Sequence, residues 1–452
     1  MAITTYSHTT FAGLKALLAQ RLSDPTNIFW ADQELGIYLK ESLRLFGLIS
    51  NFYSDRDTFS TVSGQAFYNL NSALANDTLD FTVLDQDLVI QLKYMLMEQN
   101  PSSGSTWSTA TSQTDQFTLA DVTAALEKRR NQFLLETGLV ITYTNSFNPG
   151  STPINRVTLD NEVIDVRRVQ WRTGAGQLSL VRKIDEFTAN TLNSTWRTAS
   201  ANPPTSFSLA VSQPLVLQFI SPSSVSGTLE LLTINSPANL DPTIGVLLNI
   251  PDDFSPYIKW GALADLLGKD GQGKDQPRAD YCEQRWKEGL EIAKIYKSVE
   301  LITNPSNSNL WISSLRELDD FNIGWQNSVG SPLSVAMAGW NLLALKPVPN
   351  SIIQLTVDLT PNTPIPANDA AFVQIGKEHI DIVVSYGEHL ARFKEAGTEF
   401  METQGDYERM FRVALANNSR LKAIAQNIDV LRDRARTEER FRPRKLSEEE
   451  VA

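Results

Sequence analysis

The 452 residues suffice for two or three domains, and an apolar fraction of 42% with 20% charged residues excludes a disordered chain. A formal net charge of −12 argues against a surface that grips nucleic acid through Lys and Arg. The single cysteine, Cys282, excludes an intrachain disulfide and a cysteine-built metal site.

The first ten residues, MAITTYSHTT, have neither the basic nor the apolar region of a secretory signal. No apolar run is long enough to span a bilayer, so the chain reads as one that folds in the cytoplasm without a membrane. Asp32 opens a helix whose apolar residues Leu35, Leu39, Leu43 and Phe46 recur every three or four positions, with Gly47 as its stop. Residues 84–97 give a second helix that Asn100-Pro101 ends, and the Ser/Thr-rich residues 102–113 read as a loop. FTLADVTAALEKRRNQFLLETG carries a full set of helix signals: Thr118 as cap, Asp121 three residues on, Phe117 and Val122 as a hydrophobic staple, and Gly138 as terminator.

From Leu139 the period changes. LVITYT, RVTLD, EVIDVRRVQW, QLSLVRK, SFSLAV, PLVLQFI and TLELLTI are separated by Gly, Pro, Asn and Ser, the pattern of an antiparallel sandwich or small barrel. Neither parity of EVIDVRRVQW is wholly apolar, which leaves its buried face open. Asp252 and Asp253 then precede a helix with Phe254, Ile258, Ala262 and Leu266 on one stripe. A second helix over 278–299 carries Tyr281, Trp286, Leu290 and Ala293. The fold class is therefore α+β: a helical bundle with an inserted antiparallel β domain, followed by a second, mostly helical C-terminal module. The boundaries are 1–138 for the N-terminal helices, 139–250 for the inserted β domain and 251–300 for the completing hairpin. They continue with 301–366 as a polar linker with one strand, SIIQLTVDL, 367–429 as the C-terminal helical module and 430–452 as a charged tail. Pro-Asp-Asp, a Gly turn and Asp-Tyr occur in similar order at 251–283 and 366–408, which suggests a repeated helical hairpin.

GKDGQGKD, residues 268–275, is one residue away from a phosphate-binding loop. Such a loop needs a preceding strand and a hydroxyl after its Lys; this one follows a helix and has Asp275 in that position. Gly268, Gly271, Gly273, Lys274 and Asp275 accordingly read as the turn of a helical hairpin. Asp270, Gln272 and Lys274 do not supply a calcium loop, because Lys has no oxygen to offer. His379 and His389 stand ten apart on a helix, about 80° from sharing a face, and each reads as a surface partner of the preceding Glu. Cys282 reads as a packed helix residue. Carboxylates are too many to single out a glycosidase pair, and the tryptophans suit a sugar groove or, more simply, packing. Lys128, Arg129 and Arg130 fan around a helix, which makes a poor nucleic-acid stripe and suits a subunit contact or a solvated face. No catalytic residue, cofactor site or metal site is assigned, and the chain does not read as an enzyme. In the tail, Arg432, Arg434, Arg436, Arg440, Arg442, Arg444 and Lys445 are candidates for binding a partner.

FAGLKALLAQRL, WADQELGIYLKESLRLF, a β insertion with EVIDVRRVQW and LVRKIDEF, and LQFISPSS through TLELLTI to NIPDDFSPYIKWGALADLLGKDGQGKDQPRADYCEQRW occur in that order. Together they resemble the head-to-tail adaptor (connector) proteins of tailed bacteriophages. The block 251–286 is the most specific part, and the likeness covers about two thirds of the chain; residues 301–452 depart from it. The resemblance implies a virion protein of the tail or neck, assembled in the host cytoplasm as a homo-oligomeric ring of commonly twelve copies. The portal protein, a tail or nozzle protein and genomic DNA passing without sequence-specific contact are its implied partners. The alternatives are another tail or baseplate component or, in a different class, a carbohydrate-binding or glycan-cleaving protein.

Overall fold

The computed structural model describes residues 8–76, 79–98, 116–150, 152–192, 194–210, 214–271, 273–296, 298–306, 308–321 and 324–417. Its helices are α1 (Phe11–Arg21), α2 (Asp32–Ser50), α3 (Leu70–Ala73), α4 (Asp85–Met95), α5 (Leu119–Thr137), α6 (Glu186–Leu192), α7 (Ser255–Gly268), α8 (Gln276–Ile295), α9 (Leu315–Phe321), α10 (Lys377–Arg392) and α11 (Gly397–Asn417). Its first nine strands are β1 (Asp55–Ser60), β2 (Phe67–Asn69), β3 (Thr142–Phe147), β4 (Ile154–Thr158), β5 (Val163–Thr173), β6 (Leu178–Lys183), β7 (Ser206–Ala210), β8 (Val216–Ser223) and β9 (Gly227–Asn235). After α8 come β10 (Val299–Thr303), β11 (Trp311–Ser314), β12 (Val329–Gly330), β13 (Ser334–Ala338), β14 (Leu342–Lys346), β15 (Val348–Pro349) and β16 (Gln354–Leu359). The class is mixed α+β, with a helical region at the C-terminal end.

The chain divides into two compact units, one from residues 1–52 and 365–452, the other from 53–364. This redraws the sequence-based boundaries. The opening helices belong with the closing ones, and the segment 251–300 completes a different body.

In the first unit α2 packs on α10 and α11, and α1 packs on α2 and α10. Thr10 caps α1 by accepting from the Gly13 N–H at 3.2 Å. The stripe Leu35, Leu39, Leu43 and Phe46 is buried as its spacing requires. Gly47 does not stop α2, which runs on to Ser50 and ends at Asn51 in the left-handed region. The Ser42 hydroxyl donates to the Val383 carbonyl at 2.7 Å, tying α2 to α10. Lys15 bridges Asp32 and Asp369 at 2.5 and 2.8 Å.

In the second unit, α4, α5, α7 and α8 form a helical layer around Phe133, Phe254, Trp260 and Trp286. The signals read for α5 all hold. Thr118 accepts from the Asp121 N–H at 3.2 Å, Phe117 and Val122 are buried, and Gly138 closes the helix at φ +59°. Between α5 and α7 the seven expected segments form one seven-stranded sheet, in the order β3-β9-β5-β6-β7-β8-β4. All of its pairings are antiparallel except β6 with β7. It curls around a core that includes Val157, Val166, Trp171, Phe207, Phe219 and Leu231. Val163, Val166, Val169 and Trp171 of β5 are all buried, at spacings of three, three and two. Register shifts at Val163/Asp165 and Val166/Arg168 each add a residue, which is why strict alternation hid the buried face.

Residues 301–366 are not a linker. They supply β11 to β16: β16 joins β1 and β10 in a three-stranded sheet (β1-β16-β10), β11, β13 and β14 join β2 in a four-stranded sheet (β11-β13-β14-β2), and β12 pairs with β15. Trp325 and Trp340 lie buried there.

Candidate functional site

The α7–α8 hairpin decides the phosphate-loop question. Asp275 is the N-cap of α8: its carboxylate accepts from the Arg278 backbone N–H at 3.2 Å and from the Arg278 guanidinium at 2.6 Å. The helix N-terminus, where a phosphate would sit, is thus filled by the chain's own anion. Lys274 turns to Asp270 at 2.7 Å, and Lys269 reaches Asp121 of α5 at 3.0 Å. Those lysines hold the Asp270 and Asp121 carboxyls below the usual carboxylate range. Gly271 reverses the chain at φ +151°, and Gly273 is required by space. A Cβ on Gly273 would lie 2.6 Å from the Gln116 amide and 2.7 Å from the Phe117 ring. Gly268 is the last residue of α7 with ordinary room around it.

Behind this turn, Lys128 is solvent-exposed, whereas Arg129 and Arg130 are buried and form no nucleic-acid stripe. Arg129 pairs with both oxygens of Asp265 at 3.1 and 2.5 Å, reaches Glu283 at 3.0 Å, and lies 5.2 Å from the Trp286 ring centre. Lys128 joins Asp265 at 2.9 Å, and Arg130 donates to the Ala238 carbonyl at 2.9 Å. Arg129 and Arg130 hold the unit together from inside, while Lys128 stays exposed and pairs at the surface.

Asp252 and Asp253, which precede α7, act over longer range. Asp252 accepts from the Thr82 and Val83 N–H groups at 2.9 and 3.2 Å, and Asp253 accepts from the Thr363 N–H and hydroxyl at 3.0 and 2.8 Å. The pair fastens two distant segments to the start of α7.

The remaining chemical candidates are built into packing. His389 is buried rather than on the surface, its Nδ1 3.0 Å from the Thr403 hydroxyl and its ring stacked on Phe400. His379 lies against the rings of Phe46 and Phe52. Complete burial pushes the Cys282 thiol far above its ordinary range. Of the tryptophans among the described residues, only Trp311 is exposed, at 76%; the others fill cores. No cluster of metal-ligating side chains occurs among the described residues. The tail candidates Arg432, Arg434, Arg436, Arg440, Arg442, Arg444 and Lys445 lie outside the described residues.

Sequence reading missed a polar cleft of about 580 Å³ in the second unit, lined among others by Gln65, Phe67, Asn69, Asn71, Tyr143, Glu162, Asn235, Asn249 and Asn341. A smaller hollow of about 460 Å³ shares Gln65, Asn69 and Ser72 with it. The lining comes from positions nearly 280 apart, so no local motif announces it. The cleft contains no Lys or Arg and one carboxylate, and its size is that of a ligand site. Its chemistry is neutral hydrogen bonding beside two aromatic rings, Phe67 and Tyr143, 4.7 Å apart.

Compared with protein-family models and with curated proteins, the chain matches none.

Proposed function

We propose that the chain is a virion structural protein, the head-to-tail adaptor that joins portal to tail as a ring and continues the DNA channel. The observation that carries this reading is the interruption of the α4–α5–α7–α8 layer by a seven-stranded sheet inserted between α5 and α7. That is the order of parts the adaptor resemblance implies. The distribution of polar groups supports it as well. Ion pairs such as Arg129–Asp265 stiffen the helical layer, and a ring needs complementary surfaces rather than a reactive centre. A formal charge of −12 per copy, repeated around a lumen, lets DNA slide without adhering.

The test is the mass of the purified full-length protein with and without portal protein, by sedimentation and electron microscopy. Rings that bind portal support the reading. A chain that stays monomeric with portal present overturns it, and one that assembles only with other tail or baseplate parts moves it to another tail station.

A further inference from the structure

Tyr386, Phe393, Phe400, Tyr407 and Ala414 stand at intervals of seven residues, and all five are buried. Seven residues are two helical turns, so these positions fall along one seam of a single helix running from α10 through α11. The chain is instead folded back between them. Phe393–Glu395 continue α10 as a 3₁₀ turn, α11 starts at Gly397, and Ala396 lies between. The seam thus closes on itself: the Phe393 and Phe400 ring centres are 5.1 Å apart, and those of Tyr386 and Tyr407 5.6 Å. Both pairs are centred in sequence on the joint between residues 396 and 397. At that joint backbone and sequence disagree. Ala396 has φ +56° and ψ −167°, a region that suits glycine almost alone, while the glycine stands one place later, at φ +64°. Lys394, Glu395 and Ala396 are good helix formers, and no proline stands between Lys377 and Asn417. Two helices packed on each other through a short, strained hinge are the arrangement that exchanges an element between copies.

We propose that two copies of the free protein exchange α11. Ala396 and Gly397 take up helix, and α10 and α11 become one helix over 377–417, about 60 Å long. It lies antiparallel to the same helix of the second copy, with the joint at the centre and α11 of each against α10 of the other. The aromatic pairs fit this arrangement because they already mirror each other about the joint. Phe393 meets Phe400, and Tyr386 meets Tyr407, between chains as they do within one. The contacts of α11 with α2 are remade in the same way, as is the pairing of His389 Nδ1 with the Thr403 hydroxyl. What the exchange removes is the strained backbone at Ala396. A two-fold pair is closed, whereas a head-to-tail ring is not two-fold. The exchange therefore belongs to the free chain and does not need the ring reading.

The experiment is disulfide trapping in full-length protein, with the native Cys282 left buried in the second unit. Glu388 of α10 acts on Asp406 of α11 across the hairpin, which marks a pair of facing positions. Chains with Glu388→Cys are co-expressed with chains carrying Asp406→Cys, oxidised, and mapped by mass spectrometry. Neither chain holds both cysteines, so a link between 388 and 406 joins two copies. The expected result is that link, in particles that sediment as dimers. A chain carrying both substitutions is the control that the positions meet at all. Ala396→Gly relieves the folded-back joint and should lower the share of links between copies at least about fivefold; Gly397→Ala should raise it. Links found only within the double variant, or a share indifferent to both joint substitutions, would overturn the inference. Rings that bind portal, from chains that never exchange, would remove it and leave the adaptor reading. Linked dimers that ignore portal would do the reverse.

Discussion

The two helical hairpins, α7–α8 in the second unit and α10–α11 in the first, share letters in the sequence and almost nothing in construction. In α7–α8 the chain leaves one helix, runs through seven polar and glycine residues and restarts on the Asp275 cap. In α10–α11 a single 3₁₀ turn, Phe393–Glu395, and Ala396 at φ +56° and ψ −167° join the helices directly. Asp280-Tyr281 lies in the second turn of its helix, whereas Asp406-Tyr407 lies in the third turn of α11, and Pro366 precedes α10 by more than ten residues. The repeat suggested by the sequence is thus not a repeat of the fold. Tyr281 and Tyr407 are both buried, and a buried aromatic on a helix face is enough to produce the echo. Matched letters reveal a common need for packing, and the joints between helices decide whether two hairpins are the same object.

That contrast can be broken at several points. The largest effect is expected for Arg129→Met, which takes the buried cation from the seam and leaves Asp265 only the exposed Lys128 and Glu283 only Lys287. Removing one partner of such a buried group costs about 3–5 kcal/mol, read as a lower urea midpoint for the second unit; a loss below about 1 kcal/mol would mean the network is solvated.

Acid should act on the two hairpins in opposite directions. Burial raises the Asp265 carboxyl, but the hydrogen bonds from Arg129 and Lys128 outweigh it, and the folded pKa lies below the unfolded one. Its contribution is therefore present above the unfolded value, about 4, and is lost as pH falls through the folded value. Asp406 of α11 is raised by burial and by Glu388 and Asp381, against Arg409 and Arg21. It opposes folding once ionised, so the first unit should gain protection as pH falls towards about 4. Hydrogen exchange across this range, resolved by segment, checks both signs; Asp265→Asn and Asp406→Asn should each flatten one limb and leave the other.

Ala396→Gly should stabilise α10–α11 by about 1 kcal/mol, since that backbone conformation suits glycine almost alone. An unchanged or lower melting temperature would show the joint to be unstrained. Asp275→Ala should weaken the start of α8 by about 1 kcal/mol and Asp275→Ser by only a few tenths; equal losses would assign the effect to the Arg278 ion pair instead. The smallest change is expected for Lys274→Ala. Its partner Asp270 is 93% exposed, so melting should not move, and neither protein should bind ATP in calorimetry. ATP binding that disappears in the variant would restore the phosphate-loop reading.

The sequence by itself determined the secondary structure of the middle of the chain. It gave the capped helix α5, the seven strands in order, and the helix pair on either side of GKDGQGKD. These are local matters, governed by side-chain period, capping and turn residues within a few positions of one another. It also ruled out a phosphate cradle, since Asp275 places a carboxylate at the helix start whatever the rest of the chain does. Only the tertiary structure decided the rest. The first two helices pack with the last two because their apolar faces find each other across more than 300 residues. A polar stretch becomes β-sheet because β1 and β2 supply its missing neighbours. Arg129 and Arg130 turn inward because Asp265, Glu283 and the Ala238 carbonyl wait there. The cleft exists because Asn341 meets Ile141, a contact that no spacing in the sequence records. Local pattern fixes which element forms; which element it meets depends on surfaces complete only once the chain has folded.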